Sequence, residues 1–296
     1  MNKRALVAGW FSFEGMGATS GDLAARDLAR DWLEDAGFQV DVANAEPFTG
    51  GVDWTQADPA RYSHVVFVCG PAGNGWPLTE LLERFRACRL VGLNLSMLEA
   101  LETWNPFRVL IERDSSRAAN PDITFASISE PVPVIGVVLV HAQKEYDDPR
   151  HAQAEAAVAR LLAARAVAPV PVDTRLDVPG NPLRSAAAVE SVIRRTDAVV
   201  TTRLHGLVTA LKLGIPAVAI DPIAGGAKIA RQAQTIGWPL AFTIDDLDDR
   251  ALADALDFCL SAGGRALAVK CADRARERVA ELRTDVVRAM LGTATE

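Results

Sequence analysis

Short apolar runs of strand length alternate with helix-length segments along almost the whole chain, and few architectures accept that order. In the first half, residues 4–10, 39–44, 64–70 and 90–95 read as strands, with helices over 23–36 and 78–88 between them. After 134–140 the pattern resumes, with strands at 168–173, 197–202 and 217–220. Helices are expected at 151–166, 184–195, 207–213, 227–236, 248–261 and 265–291. Apolar strands joined by crossover helices make parallel sheets covered on both faces, so the class is α/β. Few aromatics among plentiful Ala, Val and Leu fit helices laid on such sheets.

The length decides the number of domains. A chain of 296 residues exceeds the size at which one core keeps growing, so two domains of about 130 to 165 residues are expected. Residues 99–130 are less regular, and Pro131-Val132-Pro133 precedes the fresh start of the alternation, which places the boundary near Pro131. The expectation is two doubly wound domains, 1–130 and 131–296, facing one another across a ligand cleft. The last helix is long and charged enough to lie across both.

Charge and cysteines exclude several classes. A net charge of −7 argues against a broad nucleic-acid footprint, which needs clustered Lys and Arg. Cys69, Cys88, Cys259 and Cys271 have no C-x-x-C spacing and read as buried free thiols in a reducing compartment. Residues 5–10 read as a first buried strand rather than a signal peptide, and no apolar run approaches the roughly 18 residues of a membrane span. A soluble cytoplasmic protein is expected; self-association is compatible with these features.

The stretch Thr201-Thr202-Arg203-Leu204-His205-Gly206 ends an apolar strand and opens a helix. Strand ends in such sheets face the ligand crevice, and the first amides of the following helix favour an anion. Arg203 can fork a carboxylate or phosphate, and His205 can move a proton near neutral pH. The bland alternative is a capping histidine and an arginine in an interdomain ion pair.

Other motifs are weaker. Ser20 and Asp22 are candidate caps for the first helix, after the glycine turn. Gly15, Gly17 and Gly21 approach a dinucleotide fingerprint but leave one residue too many in the last gap. Asp41, about 20 residues beyond, falls within a strand rather than at its end, which argues against a nicotinamide cofactor. Gly70, Gly73 and Gly75 form a second loop at a strand end. His141 and His151 flank the acidic loop 145–148 without a third ligand and read as solvated loop residues, not a metal site.

Several segments together resemble the polysaccharide pyruvyl transferase family. They are the Gly15 to Asp22 turn, Glu112-Arg113-Asp114-Ser115 with Pro121-Asp122, and the block Asp197 to Gly206 continuing through Gly214-Ile215-Pro216 to Lys228. The chain departs from the family pattern in carrying Ser20 before Gly21-Asp22 and extra small residues at 223–226. The resemblance implies two facing Rossmann-like domains of the GT-B kind, with acceptor binding on the first and donor binding on the second. It implies transfer of a pyruvyl group, as a ketal or an enolpyruvyl, from phosphoenolpyruvate to a hydroxylated acceptor such as a sugar or glycan precursor, releasing phosphate, with no cofactor and no metal. Arg203, Lys228 and the helix start at Gly206 would then anchor donor anions, and His205 would act as acid or base. Asp114 or Asp22 would orient acceptor hydroxyls or His205, with Arg113 and Gly17 nearby in the substrate site. Two rivals stand beside this reading: a nucleotide-sugar glycosyltransferase on the same scaffold, and a non-catalytic anion-binding member of the family.

Overall fold

The structure, a computed structural model, describes residues 3–140, 150–177 and 179–291. It divides into two compact units, Met1–Ser129 and Glu130–Glu296, each an α/β, Rossmann-like body around a five-stranded parallel sheet.

Unit 1 runs β1 (Arg4–Ala8), α1 (Ser20–Asp35), β2 (Gln39–Val42), β3 (His64–Val68), β4 (Pro71–Ala72), α2 (Leu78–Arg84), β5 (Arg89–Leu93), β6 (Ser96–Met97) and β7 (Val109–Ile111). The sheet order is β2-β1-β3-β5-β7, and β4 pairs separately with β6. Alternation along the strands sends Leu6, Val65 and Phe67 to one face, with Phe13, Trp54 and Phe85. Val7, Val66 and Val68 go to the other, with Ala25 and Ala29 of α1. β7, within the stretch expected to be irregular, is an edge strand of three residues, too short to show a period.

Thr19, not Ser20, caps α1. The Asp22 amide donates to Thr19 Oγ1 at 3.3 Å, and Asp22 Oδ2 accepts from the Thr19 amide and hydroxyl at 2.7 Å each. The helix therefore begins at Ser20, earlier than the apolar pattern implies, and Gly37 at φ +81° turns the chain out of it.

Unit 2 runs β8 (Val134–Val138), α3 (His151–Ala163), β9 (Ala168–Pro171), α4 (Ala186–Ile193), β10 (Ala198–Thr201), α5 (Leu204–Lys212), β11 (Ala217–Asp221), α6 (Lys228–Ile236), β12 (Ala241–Thr243), α7 (Asp249–Cys259) and α8 (Ala262–Met290). The order is β12-β11-β10-β8-β9. β10 and β11 are buried along their whole length, the pattern of strands covered on both faces. β9 carries Pro169 and Pro171 and lies at the sheet edge, where a missing N–H is tolerated. The buried residues of α8 all lie in its first half, from Gly264 to Ala272. Among the described residues no helix is long and apolar enough to cross a membrane. All four cysteines are free, and three are buried.

Each sheet has a point where successive connections leave in opposite directions: between β1 and β3 in unit 1, and between β8 and β10 in unit 2. Ligand crevices form outside the carboxyl ends of strands at such points.

Candidate functional site

At the switch point of unit 2, two buried threonines tie the strand ends together. Thr201 Oγ1 donates to the Val138 carbonyl at 2.9 Å and accepts from the Arg203 amide at 2.9 Å, while Thr202 Oγ1 accepts from the Val140 amide at 2.8 Å. The hydroxyls thereby satisfy the Arg203 and Val140 amides, which the sheet ladder leaves unpaired. The chain then turns at Arg203, which occupies the N-cap position of α5 with extended φ and ψ. The helix starts at Leu204, three residues before the expected start.

Arg203, His205 and Lys228 line one cavity of about 300 Å³, together with Thr174, Arg175 and Asp221. Loops following β8, β9, β10 and β11 all contribute to it. His205 is exposed and Arg203 half-buried. Arg203 Nη1 donates to Asp173 Oδ1 and Thr174 Oγ1 at 3.2 Å each. Among the described residues its Nε and Nη2 have no partner. Burial pulls the Arg203 guanidinium below its usual range, Asp173 opposes that, and neighbouring Arg175 adds to it; an arginine stays charged regardless. The ion pair of Arg203 is thus made within unit 2 rather than between domains. Arg175 in turn forks Asp177 at 2.7 and 3.0 Å and holds that carboxyl below its ordinary value.

The Gly206 amide, expected among the anion anchors, is engaged in the first turn of α5. It donates to the Arg203 carbonyl at 3.0 Å, so the helix amides left without an intrahelical acceptor are those of Leu204 and His205. Gly206 is instead a contact residue: a Cβ there would lie 2.2 Å from Thr201 Oγ1 and 2.9 Å from Val138 Cγ1.

The start of α6 is occupied from within. Asp221, 1% exposed at the end of β11, accepts on Oδ2 from the amides of Ala227, Ile229 and Ala230 at 2.8, 3.1 and 3.0 Å. That carboxylate satisfies the helix N-terminus and holds Lys228, the first residue of α6, on the cavity wall. The motif reading missed Asp221 and Arg175. An aspartate ending an apolar strand was the only available signal for the first, and Arg175 carried none.

The remaining candidates belong to unit 1. Arg113 bonds Asp122 at 3.0 Å and Asp114 at 3.3 Å, and also Ser96; Ser96 Oγ donates to Asp114 Oδ2 at 2.6 Å. Asp122 is held down at about 2: burial opposes the shift, but the Thr124 amide and hydroxyl and Arg113 outweigh it. Asp22 closes the α1 cap and acts on the Cys69 thiol, which burial first and then Asp22 push up to about 11. Gly17, at φ +75°, shapes the turn before α1. Asp41 is forked by Arg4 at 2.9 Å twice and accepts from Tyr62 Oη at 2.7 Å, so the carboxylate a ribose would need is engaged.

His151 begins α3 with both ring nitrogens buried and, among the described residues, without a hydrogen-bond partner, unlike the solvated position expected. His141 and the loop 145–148 lie outside the described residues. Among the described residues no three His, Cys, Asp or Glu side chains gather as metal ligands.

Fold and site together define an α/β protein with a strand-end cavity lined by Arg203, His205 and Lys228. The family model described as polysaccharide pyruvyl transferase matches residues 120–222, and over that segment the chain is pyruvyl transferase-like, as its motifs indicate. Arg203, His205 and Gly206 fall inside the matched segment; Lys228 and the unit 1 candidates fall outside it. No curated protein matches the chain. Among solved structures, the chain is similar to the glycotransferase of kitacinnamycin (11% identity, 97% of this chain and 98% of that one, TM-score 0.34). It is also similar to the glycosyltransferase SnogD from Streptomyces nogalater (16%, 96% and 99%, 0.33) and to the spinosyn forosaminyltransferase SpnP (14%, 97% and 100%, 0.33).

Proposed function

We propose that this protein is a pyruvyltransferase that takes phosphoenolpyruvate as donor, held in unit 2, and a hydroxylated acceptor such as a sugar or glycan precursor. The observation that carries this reading is the convergence of Arg203, Lys228 and His205 on one small cavity at a switch point. Phosphoenolpyruvate presents a carboxylate and a phosphate, which call for two cationic anchors. Arg203 offers its unengaged donors to one and Lys228 its ammonium to the other, with the first amides of α5 adding a dipole of the same sign.

His205 handles the proton. Protonation of the vinyl CH₂ makes C2 electrophilic, and an acceptor hydroxyl adds to C2 as it loses its own proton. A second hydroxyl then displaces phosphate from C2, its proton leaving with the phosphate, giving the ketal and free phosphate. One imidazole able to give and take a proton near neutral pH serves both transfers.

Size separates this reading from transfer of a nucleotide-linked sugar. The cavity, about 300 Å³, lies at the bottom of the range of about 300 to 1,000 Å³ usual for ligand pockets, which suits a compact dianion. The test is phosphate release from phosphoenolpyruvate with a panel of sugar diols. Release that falls at least about a hundredfold in His205→Ala is expected, the usual weight of a general acid or base. Release no greater than the blank for the wild type, with phosphoenolpyruvate still raising the melting temperature, would instead mark a non-catalytic anion binder.

A further inference from the structure

A larger cavity in unit 1, about 790 Å³, is lined by none of Arg113, Asp114, Gly17 and Asp22. It lies outside the carboxyl ends of β1 and β2, on loops flanking that sheet's switch point, and its walls are of two kinds. One is aromatic. Trp54 is buried, with Nε1 donating to the Ser12 carbonyl at 3.1 Å. Trp76 is 73% exposed, yet its ring is held, because Nε1 donates to Glu80 Oε2 at 3.2 Å. An indole that size, exposed and fixed, offers a flat apolar face with little rotamer freedom left to lose.

The other wall accepts hydrogen bonds and donates few. Glu14, Glu46, Asp53 and Glu80 line the cavity, and no Lys or Arg does. Glu14 and Glu46 have no hydrogen bond or ion pair with any described residue. Asn44 also lines the cavity, with its Nδ2 turned away to the Thr49 carbonyl at 3.0 Å.

We propose that this cavity binds a polyhydroxylated sugar bearing a protonated amine. Hydroxyl groups and an ammonium supply the donors that the carboxylates of Glu14 and Glu46 lack, and the ring's C–H face stacks on Trp76. An ammonium beside an indole and carboxylates gains from both. A phosphate or carboxylate on the sugar meets four like charges and no cation, so anionic sugars are disfavoured. Identifying this sugar as the transferase's acceptor rests on the pyruvyl-transfer reading; the binding site itself does not.

The test uses the full chain, with saturation-transfer NMR and tryptophan fluorescence following titration by glucosamine, N-acetylglucosamine and glucosamine 6-phosphate. Glucosamine should bind about five- to tenfold tighter than its N-acetyl form, the scale of one partly desolvated cation contact, and the phosphate should bind weakest. Trp76→Ala should weaken all three, and the double variant Glu14→Gln with Glu46→Gln should erase the preference for the amine while leaving N-acetylglucosamine binding in place. All three substitutions lie on exposed side chains, so folding is retained. Equal binding of the three sugars, no binding of any, or no effect of either variant overturns the inference. Phosphoenolpyruvate binding to wild type and Arg203→Ala, measured in parallel, separates the two proposals. Sugar recognition without donor binding removes only the pyruvyl reading, and donor binding without the sugar pattern removes only this one.

Discussion

Gly206 illustrates how one position can be chemical in a motif and steric in the fold. It stands where α5 presses on β8 and β10, and the atom a side chain would strike, Thr201 Oγ1, is itself tied to Val138 and to the Arg203 amide. Gly206→Ala gains up to about 1 kcal/mol in helix propensity, but must displace that locked hydroxyl at a cost of about 1 to 3 kcal/mol. The net expectation is a destabilisation of about 1 kcal/mol, read as a lower urea midpoint, together with weaker phosphoenolpyruvate binding because the Arg203 turn moves. A variant as stable as wild type would show that α5 stands further from the sheet than described. The Thr-Thr-Arg-x-His-Gly run is therefore a unit: hydroxyls join two strand ends, glycine admits the helix, and Arg203 and His205 are left on the cavity wall.

At the scale of elements, the segment after β7 is held by charge rather than by a helix. Arg117 forks Glu112 at 2.7 and 2.9 Å, and Ser115 adds a bond of 2.9 Å. The Arg117 fork outweighs burial and holds the Glu112 carboxyl at about 2, against an ordinary value of 4.5. A carboxyl depressed in the folded state stabilises above its unfolded value, and that contribution is lost as pH falls through the folded one. Urea unfolding of the wild type should therefore lose stability between about pH 4.5 and 2. Arg117→Ala should be less stable above that window, with a shallower slope inside it and the two curves converging toward its lower end. Asp122, also near 2, leaves some slope in the variant. Parallel curves would assign the acid dependence to Asp122 and other groups. β7 and β12 escaped the sequence reading for a related reason: strands of three residues at or near a sheet edge carry too few apolar positions to show a period.

For the molecule as a whole, the buried side chains form one cluster in unit 2 and two in unit 1, on opposite faces of its sheet. The chain approaching the unit boundary exposes Phe125 at 89%, in the 3-10 turn Ile123–Ala126, and Ile128 at 98%, on the irregular backbone that follows, where a protease finds access. Brief digestion with chymotrypsin should cut first after Phe125 and give two fragments near the unit boundary, identified by mass spectrometry. Earlier cuts inside either unit would contradict the division. The order of elements was legible because central strands such as β10 and β11 are apolar throughout, and their crossovers carry helical periodicity and caps. Arg203, His205 and Lys228 were legible as a group because each lies just past a strand or at a helix start, positions that sequence order alone marks. Asp221 under α6, Thr19 rather than Ser20 at α1, the steric duty of Gly206 and the aromatic and acidic cavity of unit 1 were not. The Thr19 cap and the Asp221 carboxylate turn on local loop geometry that spacing leaves open, Gly206 on how closely α5 packs on the sheet, and the cavity on which loops a parallel sheet brings side by side: Glu14, Asn44 and Trp76 line one space because strands distant in sequence end at the same edge. The sequence by itself determined an α/β class and a strand-end motif, since those follow from local periodicity. Which polar groups face a common space was decided by tertiary packing, since distances between loops are set by strand order and register rather than by spacing along the chain.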